Sequence, residues 1–414
     1  MNIDMYRCTV ASGEDVTMRE AVIIGAGCIG RGFVAQLFHE AGWHVTFLDI
    51  DAPLVEALAR QGSYTHVTVS NTESVRTTIG PVAAIDAHDE DAAIAAFVAA
   101  DLAATSVGGT ELPDVAPVLA AAIARRIELG RPPLNVLLCE NVHRAAGVMR
   151  GLLAERLPQV SPDVLDTNLG LLETSIDRTI PVPKESVRAV DPSIIYADPY
   201  RPLPYDIAAV RGVVFEVPGI VGDPTVPFAF YGERKLYIHN MGHALTAYLG
   251  ERAGVALVSE AIASPELRRI VRGAMVESAT ALSHAYGQPM PPLVELVDDL
   301  LSRFADRTLP DTVARVGRDP IRKTTPGDRL VGPFVSAVQQ HLPSAHLSLA
   351  VAVGADALGR HEGWPDDRIP RHLGLGKSVL TTAQRELLEA QIALLSQGSD
   401  LQQQIDLIEE YEAR

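Results

Sequence analysis

The sequence predicts an α/β fold, with a Rossmann-like, doubly wound N-terminal domain followed by a mostly α-helical C-terminal domain. Short apolar runs alternate with helical patterns from Ala21 onward, and a glycine-rich turn follows the first run. Long amphipathic patterns fill the second half of the 414 residues, whereas single hydrophobic cores stop growing at about 250–300 residues. We therefore place two domains at residues 19–204 and 205–414, with a possible disordered extension at 1–18.

The strand and helix candidates of the first domain alternate along the chain. The predicted strands are Ala21–Gly25, His44–Asp49, His66–Val69, Asp101–Val107 and Asn135–Cys139. The predicted helices are Ile29–Ala41, Ala52–Arg60, Asp91–Ala99, Leu112–Ile127 and Val142–Arg156. Strands that alternate with helices of about a dozen residues favour a parallel sheet, because a parallel crossover needs a connection of that length.

Helical patterns dominate the chain after a proline-rich stretch that begins near Tyr200. Apolar residues recur at helical spacing, and polar residues occupy the positions between them. The predicted helices are Leu236–Gly250, Ala256–Ile262, Leu267–Tyr286, Val294–Phe304 and segments of Thr381–Tyr411. This region is expected to form the second domain.

The composition argues against several classes of partner. Lys and Arg number 35 and Asp and Glu 52, and the net charge of −17 disfavours nucleic acid, whose phosphates need a basic face. Cys8, Cys28 and Cys139 match neither a disulfide framework nor a zinc-ligand pattern, which favours a cytoplasmic location and no metal. Apolar runs far short of the ~20 residues that span a bilayer predict no membrane partner. We expect a monomer or a small homo-oligomer.

The turn Gly25–Gly30 (GAGCIG) follows a predicted strand and opens a predicted helix, the context that a dinucleotide-binding fingerprint requires. In this motif Gly25 allows the tight turn, Gly27 lets the backbone approach a pyrophosphate, and Gly30 lets helix and strand pack closely. Cys28 and Ile29 lie at the helix N-terminus, whose free N–H groups attract an anion. A glycine-rich turn of some other α/β protein is the alternative.

Two further positions fit a dinucleotide site. Asp49 ends the second strand, 22 residues after Gly27, where a carboxylate accepts the ribose hydroxyls. The residues after Asp49 include no early Arg for a 2′-phosphate, so NAD is favoured over NADP. Gly108 follows the strand Asp101–Val107 beside the expected switch point of the sheet, although an ordinary turn glycine explains it equally well.

The densest group of polar side chains is Lys235–His243 (KLYIHNMGH). A lysine whose pKa is lowered by burial and a nearby cation can serve as general base, and Asn240 could hydrogen-bond a developing alkoxide. Asn240 and His243 share a helical face, while Lys235 and Asn240, five residues apart, share one only approximately. His239 is expected to point away from the face used by His243. An ordinary helix end with a surface lysine and a capping asparagine is the alternative.

Four motifs in the same order resemble the polyol-specific long-chain dehydrogenases, closest to their mannitol-1-phosphate 5-dehydrogenase branch. The K-x₄-N-x₂-H pattern lies in Lys235–Gly250, and Thr174–Pro181 (TSIDRTIP) is similar to the family's [ST]-x-V-D-R-I-x-P signature. Arg315–Pro333 and Gly25–Phe33 are similar to segments of the branch, which usually has Asn in place of Cys28. Tyr200–Asp206 departs from the branch's pattern.

The resemblance implies a two-domain, zinc-independent enzyme and assigns roles to six residues. Lys235 would be the base, Asn240 and Asn141 would stabilise the oxyanion, and His243 and Asp177 would contact substrate hydroxyls. Arg178 would lie with Asp177 at the domain junction and would belong with it to the substrate-binding residues. A structural ion pair is the alternative for these last two residues.

A basic segment interrupts the acidic chain. Its cations are Arg315, Arg318, Arg322, Lys323 and Arg329, and the two acids among them leave a local charge of +3. Guanidinium groups bind phosphate monoesters bidentately, so this segment is a candidate phosphate site. Arg315 and Lys323 match substrate-site positions of the family best. An exposed basic loop is the alternative.

The sequence therefore predicts an NAD-dependent polyol phosphate dehydrogenase that interconverts D-mannitol 1-phosphate and D-fructose 6-phosphate. One alternative is a dehydrogenase of an unphosphorylated polyol or a hexonate, such as mannitol, altronate or fructuronate. Another is a non-catalytic NAD-binding sensor. The presence of Lys235, Asn240 and His243 together disfavours the sensor, which has no need of these three side chains.

Overall fold

The computed structural model describes residues 18–142, 144–308, 310–365, 367–376, 378–398 and 400–413. Residues 1–17 of the expected extension lie outside the described residues. Met18 is exposed and lies two residues before Glu20, where the first strand begins.

Six parallel strands form the main sheet of the N-terminal half, in the spatial order β5-β2-β1-β6-β7-β8. These strands are β1 (Glu20–Ile24), β2 (His44–Asp49), β5 (Val82–Asp86), β6 (Leu102–Thr105), β7 (Leu134–Leu138) and β8 (Leu169–Glu173). Counted among themselves along the chain, they have the order 3-2-1-4-5-6, which is that of a doubly wound nucleotide-binding sheet. The predicted fold class is confirmed.

The helices of this half cover both faces of the sheet. They are α1 (Ala35–Glu40), α2 (Ala52–Gln61), α3 (Glu90–Ala99), α4 (Leu112–Glu128), α5 (Ala145–Arg156), α6 (Pro162–Asn168) and α7 (Glu185–Arg188). A π-helical segment at Gly30–Val34, the first π-turn, leads into α1. Separate apolar cores lie on the two faces of the sheet, as expected when alternate strand residues point to opposite sides.

The predicted strand His66–Val69 is present but lies outside the main sheet. It belongs to β3 (Tyr64–Val69), which pairs with β4 (Ser74–Ile79) and β9 (Ile195–Ala197) in a second sheet. Two strands of the main sheet, β5 and β8, were not predicted. The alanine-rich β5 (VAAID) carries no period-2 signal, because its sequence does not alternate apolar and polar residues.

The C-terminal half is mostly helical, as predicted. Its helices are α8 (Phe228–Arg234), α9 (Met241–Arg252), α10 (Val258–Ala261), α11 (Pro265–Tyr286), α12 (Met290–Phe304), α13 (Val313–Val316), α14 (Pro320–Lys323), α15 (Val331–Gln339), α16 (Ala345–Glu362), α17 (Ile369–Leu373), α18 (Thr382–Ser396) and α19 (Leu401–Glu412). A second π-helical segment at Lys235–Asn240, the second π-turn, joins α8 to α9. Short strands β10 (Leu203–Pro204) and β11 (Ile220–Val221) precede this half.

The helical half has its own apolar core around α9, α11 and α16. Every residue from Leu347 to Ala355 is buried, so α16 is surrounded by other helices on all sides. Within the described ranges, no helix combines the length and the apolar character needed to cross a membrane.

A buried arginine holds the end of α3 against the start of β6. The Nη1 atom of Arg126 donates to the carbonyl oxygens of Phe97, Val98 and Ala100 at 2.8 to 2.9 Å, and its Nη2 atom donates to Pro132 at 2.8 Å. Arg126 is 4% exposed. Its removal would leave these carbonyls without the hydrogen bonds that offset their burial.

We expect Arg126→Met to lower the free energy of unfolding by about 2–4 kcal/mol, because buried acceptors lose their donor. Arg125→Met is the matched control. Arg125 is exposed and, among the residues that the structure describes, pairs with Glu128 alone, so its loss should cost about 0.5 kcal/mol or less. Urea denaturation followed by circular dichroism measures both values, and equal destabilisation of the two variants would contradict the assignment.

Candidate active site

The glycine-rich turn has the geometry that its motif predicts. Gly25 has a φ of +94°, and a Cβ atom there would lie 2.6 Å from the carbonyl oxygen of Ser106. A Cβ atom on Gly30 would overlap the carbonyl oxygen of Gly25. A Cβ atom on Gly27 would meet no atom within 4 Å, so this glycine alone of the three faces open space. The open side of the turn can therefore accept a pyrophosphate.

Asp49 joins this turn to the end of β2. Its Oδ2 atom accepts a hydrogen bond from the Ala26 N–H at 2.6 Å, and its Oδ1 atom accepts one from the Asp51 N–H at 2.9 Å. Asp49 also lines a cleft of about 490 Å³ together with Gly27 and Cys28. The opposite wall is formed by the segment around α7. This cleft has the position and the carboxylate expected for the adenosine end of a dinucleotide.

The three other predicted cofactor positions are Cys28 and Ile29, within the turn, and Gly108, in the loop after β6. Burial raises the pKa of Cys28, which keeps its side chain in the thiol form. Ile29 directly precedes the first π-turn. Gly108 has a φ of +100°, and a Cβ atom there would face open space. Gly109 packs so closely on Val142 that a Cβ atom would overlap it, so the loops after β6 and β7 lie against each other.

Glu140 holds these two loops together and was not among the predicted site residues. It is buried, and its carboxylate accepts hydrogen bonds from Thr105 Oγ1 at 2.8 Å and from the Val107 N–H at 3.3 Å. Burial raises its pKa to about 7, against the lowering effect of these two bonds. The sequence contains no pattern that distinguishes Glu140 in this role from an exposed acidic residue that follows a strand.

Lys235 and Asn141 connect the helical half to the Rossmann sheet. Lys235 Nζ donates a hydrogen bond to Asn141 Oδ1 at 2.9 Å, and Asn141 follows the C-terminal end of β7. Burial lowers the pKa of Lys235, with a contribution from Arg329, while Asp177 acts in the opposite direction. A lysine in this setting is a candidate general base.

The second π-turn explains the five-residue spacing between Lys235 and Asn240. A π-helix bonds residue i to residue i+5, so positions five apart lie nearly one above the other. In an α-helix the same two residues would diverge, which is why the sequence pattern placed them on one face only approximately. The irregular turn therefore places the candidate base and the candidate oxyanion donor closer to one face than a regular α-helix would.

Asp177 is deeply buried at the junction of the two halves. It is 3% exposed, and its Oδ1 atom lies 3.2 Å from His239 Nδ1. Its Oδ2 atom lies 3.7 Å from Arg234 Nη2, and Arg303 donates to its backbone carbonyl. Although burial alone would raise it, the pKa of Asp177 is held at about 2 by the hydrogen bond and charge of His239 and by Lys235 and Arg234.

The expected orientation of His239 is wrong. Its ring centroid lies 6.1 Å from that of His243, and both rings pack on Phe304 at 5.7 and 5.0 Å. Residues four apart follow each other by about one helical turn, so the two imidazoles point to the same side. Asp177 and His239 are 62 residues apart in sequence, and no local pattern predicted their contact.

His243 is held by a second carboxylate that sequence analysis missed. Its Nε2 atom lies 3.3 Å from Asp311 Oδ2, and Asp311 also accepts from Arg315 Nε at 2.7 Å. Burial would raise the pKa of Asp311, but the bonds from His243 and Arg315 hold it at about 2. Arg315 is therefore linked to the site through Asp311.

The other cations of the basic segment divide into two groups. Arg318 is exposed and donates to the Arg315 carbonyl, and Arg322 is exposed and pairs with Asp319. Lys323 is buried, with its Nζ atom 6.0 Å from the ring centroid of Tyr248. Burial and the neighbouring Arg329 and Arg322 lower the pKa of Lys323 to about 8.

Arg178 lies away from the cleft, in contrast to the predicted substrate contact. Its side chain is 1% exposed and donates to Gln36 Oε1 at 2.7 Å and to the Asp198 carbonyl at 2.8 Å. The guanidinium also lies 5.3 Å from the ring centroid of Phe33. These contacts fasten the segment after β8 to α1, so Arg178 is a structural residue.

One group of side chains in the described ranges has the proximity of metal ligands, namely Glu277, His346 and Glu412. The carboxylate of Glu277 already accepts the N–H groups of His346 and Leu347 at 3.1 and 2.8 Å. It therefore caps the N-terminus of α16, whose partial positive charge disfavours a cation.

The fold and the site define a two-domain, dinucleotide-dependent oxidoreductase. Residues 19–209 match the family described as "Mannitol dehydrogenase Rossmann domain", and residues 228–360 match "Mannitol dehydrogenase C-terminal domain". The chain belongs to the mannitol dehydrogenase family of polyol dehydrogenases.

Two solved structures share the fold over nearly the whole chain. A D-sorbitol dehydrogenase in substrate-free form has a TM-score of 0.76 at 15% identity, covering 93% of this chain and 94% of its own. Mannitol 2-dehydrogenase of Pseudomonas fluorescens, in a ternary complex with NAD and D-mannitol, has a TM-score of 0.68 at 16% identity. The alignment covers 96% of this chain and 95% of that one.

The two close-packed glycines and the open one can be separated by experiment. Gly30→Ala should lower the free energy of unfolding by about 2–4 kcal/mol, because its methyl group would overlap the Gly25 carbonyl. Gly27→Ala should leave thermal stability unchanged and weaken dinucleotide binding by about 10-fold or more, because its methyl group enters the open space. Differential scanning fluorimetry and fluorescence titration measure the two effects. A stable Gly27→Ala variant with unaltered dinucleotide affinity would refute this assignment.

Proposed function

We propose that the chain is an NAD-dependent dehydrogenase that interconverts D-mannitol 1-phosphate and D-fructose 6-phosphate. The observation that carries the reaction type is the 2.9 Å hydrogen bond between Lys235 and Asn141, one helical turn from Asn240. A base and two amide groups then surround one reacting oxygen, as removal of a hydroxyl proton and stabilisation of an alkoxide require.

In the direction of oxidation, Lys235 Nζ takes the proton of the substrate hydroxyl. Asn141 uses its carbonyl oxygen to orient Lys235, so its amide N–H groups are free to donate to the substrate oxygen. Asn240 donates from the other side, and His243, held by Asp311, contacts a neighbouring hydroxyl. Bound NAD would supply the acceptor for the hydride that leaves the carbon bearing this hydroxyl. The reverse direction uses the same groups with Lys235 as acid.

Two features support NAD as the cofactor. Asp49 reaches the adenosine end of the cleft, where a carboxylate favours two ribose hydroxyls and repels a 2′-phosphate. The open space at Gly27 suits a pyrophosphate. The family member from P. fluorescens was solved with NAD, which agrees with this choice.

Two cations of the basic segment that are shielded from solvent, Lys323 and Arg329, support a phosphorylated substrate. Lys323 is buried and has no carboxylate within ion-pairing distance in the described part of the chain. Arg329 is 14% exposed, and its charge acts on both Lys235 and Lys323. A phosphate monoester on the substrate would supply the anion that Lys323 lacks, since Arg329 already pairs with Asp328. Of the residues expected at the phosphate, we retain Lys323 as the principal one, and Arg315 acts through Asp311.

An unphosphorylated polyol is the second candidate, and two observations favour it. Arg315, Arg318 and Arg322 are exposed, and Arg315 and Arg322 already pair with carboxylates. The structural neighbours are a sorbitol and a mannitol 2-dehydrogenase. A hexonate such as altronate is a third option, since its carboxylate would also suit Lys323.

Substrate kinetics decide between these candidates. We expect kcat/KM for fructose 6-phosphate to exceed that for fructose by about 100-fold, because a charge-assisted contact to phosphate contributes about 1.5–3 kcal/mol. It should also exceed that for fructuronate, whose carboxylate carries less charge than a phosphate monoester. Lys323→Met should remove most of this preference, whereas Arg76→Met, an exposed cation on β4, should retain it. NADH oxidation at 340 nm gives all the values. A kcat/KM for fructose at or above that for fructose 6-phosphate would exclude the phosphorylated substrate.

Replacing the base tests the reaction type. Lys235→Ala should lower kcat by about 10²–10⁴-fold, the usual contribution of a general base, with nearly unchanged affinity for NADH. Affinity is measured by fluorescence titration of the same preparation. A variant that keeps wild-type turnover would remove Lys235 from the mechanism. A wild-type protein that binds NADH and turns over none of these substrates would favour the sensor.

A further inference from the structure

The proposed reaction leaves one imidazole in the cleft without a role. His239 lies between Asp177 and His243, and its side chain is 16% exposed. Its Nδ1 atom contacts Asp177 Oδ1, while its Nε2 atom has no hydrogen-bond partner in the portion of the chain that the structure describes. A polar atom in this position is available to a ligand.

Asp177 is poorly placed to contact substrate itself. Its side chain is 3% exposed, one carboxylate oxygen faces His239, and the other faces Arg234. A substrate hydroxyl would have to displace one of these groups to reach it. Any effect of Asp177 on the substrate must therefore pass through one of these two neighbours, each of which is 16% exposed. His239 is the one that lies against His243.

The contact with Asp177 determines which nitrogen of His239 carries the proton. An ionised carboxylate can only accept hydrogen bonds, so Nδ1 must carry the hydrogen and donate it. Burial lowers the pKa of His239, which keeps the ring neutral. Nε2 then presents a lone pair, and the packing of the ring on Phe304 fixes its direction.

We propose that His239 is a further substrate-binding residue, whose Nε2 atom accepts a hydrogen bond from a hydroxyl of the polyol or ketose. Asp177 is its positioning residue and acts on the substrate through the imidazole. This inference rests on the proposed polyol dehydrogenase function. It also accounts for specificity, because a buried acceptor left unpaired by a substrate without that hydroxyl costs binding free energy.

Two isosteric variants separate the two nitrogens. In His239→Asn the side-chain amide replaces Nδ1 and can still donate to Asp177, but nothing replaces Nε2. In His239→Gln the amide extends to the position of Nε2. We expect His239→Asn to raise KM for the ketose about 10-fold, with thermal midpoint and NADH affinity unchanged, and His239→Gln to restore part of the loss.

A series of ketoses, each lacking a different hydroxyl, identifies the hydroxyl that His239 contacts. Wild type should lose about 10-fold in kcat/KM on the analogue that lacks the bound hydroxyl, whereas His239→Asn should turn over that analogue and the parent ketose equally well. This readout does not depend on folding stability, since each enzyme is compared with itself on two substrates. If both enzymes show the same ratios across all analogues, His239 does not bind substrate.

A double-mutant cycle tests the positioning role of Asp177. Asp177→Asn should impair kcat/KM, and Asp177→Asn combined with His239→Asn should be no worse than His239→Asn alone, because Asp177 acts through the ring. Additive losses would show that Asp177 contacts substrate directly and would overturn the inference. If the wild type turns over the substrate and the His239 variants have the same kinetic constants, the inference is overturned while the proposed function stands. Absence of wild-type turnover would instead remove the proposed function.

Discussion

The hydrogen bond between Lys235 and Asn141 is the contact on which the candidate site depends, because it joins the two halves of the chain at the proposed reacting position. Asn141 is placed by the parallel sheet, since it follows the end of β7, and Glu140 ties the loops after β6 and β7 together. Lys235 is placed by the helical half, through the packing of the second π-turn on α9 and α11. A shift of either half by about 1 Å would separate the base from the amide, and misplacement on this scale is costly in catalysis.

The two π-helical segments lie at the two parts of the candidate active site. The first π-turn follows the glycine-rich turn, and the second carries Lys235 and Asn240. A π-helical segment is less stable than a regular α-helix and is retained mainly where it serves function. Here the i→i+5 geometry brings together two side chains that an α-helix would separate. The surrounding core of α9, α11 and α16 supplies the packing that stabilises this irregularity.

Sequence patterns predicted the features that depend on local periodicity. The alternation of strands and helices, the roles of Gly25, Gly27 and Gly30, and the helical second half all follow from spacing and from the conformational freedom of glycine. The features that were missed depend on contacts between distant residues. The pair Asp177–His239 forms only when the two halves pack together. The pair His243–Asp311, the loop clamp of Glu140 and the burial of Arg178 arise when distant segments within one half pack together. A five-residue spacing also gives no local indication that the helix will widen into a π-turn.

In this chain, the distribution of the charged residues matters more than the net charge. The basic segment has a local excess of positive charge in the sequence. In the structure, however, Asp311, Asp319 and Asp328 pair with Arg315, Arg322 and Arg329 respectively. Much of the apparent positive field is therefore neutralised at short range, where screening by solvent is weakest. Lys323 and Arg318 form no ion pair with a carboxylate in the described ranges, and of these two only Lys323 is buried, beside Arg329. An anionic substrate group would thus be recognised by one or two desolvated cations rather than by a broad basic surface, and this geometry discriminates by position as well as by charge.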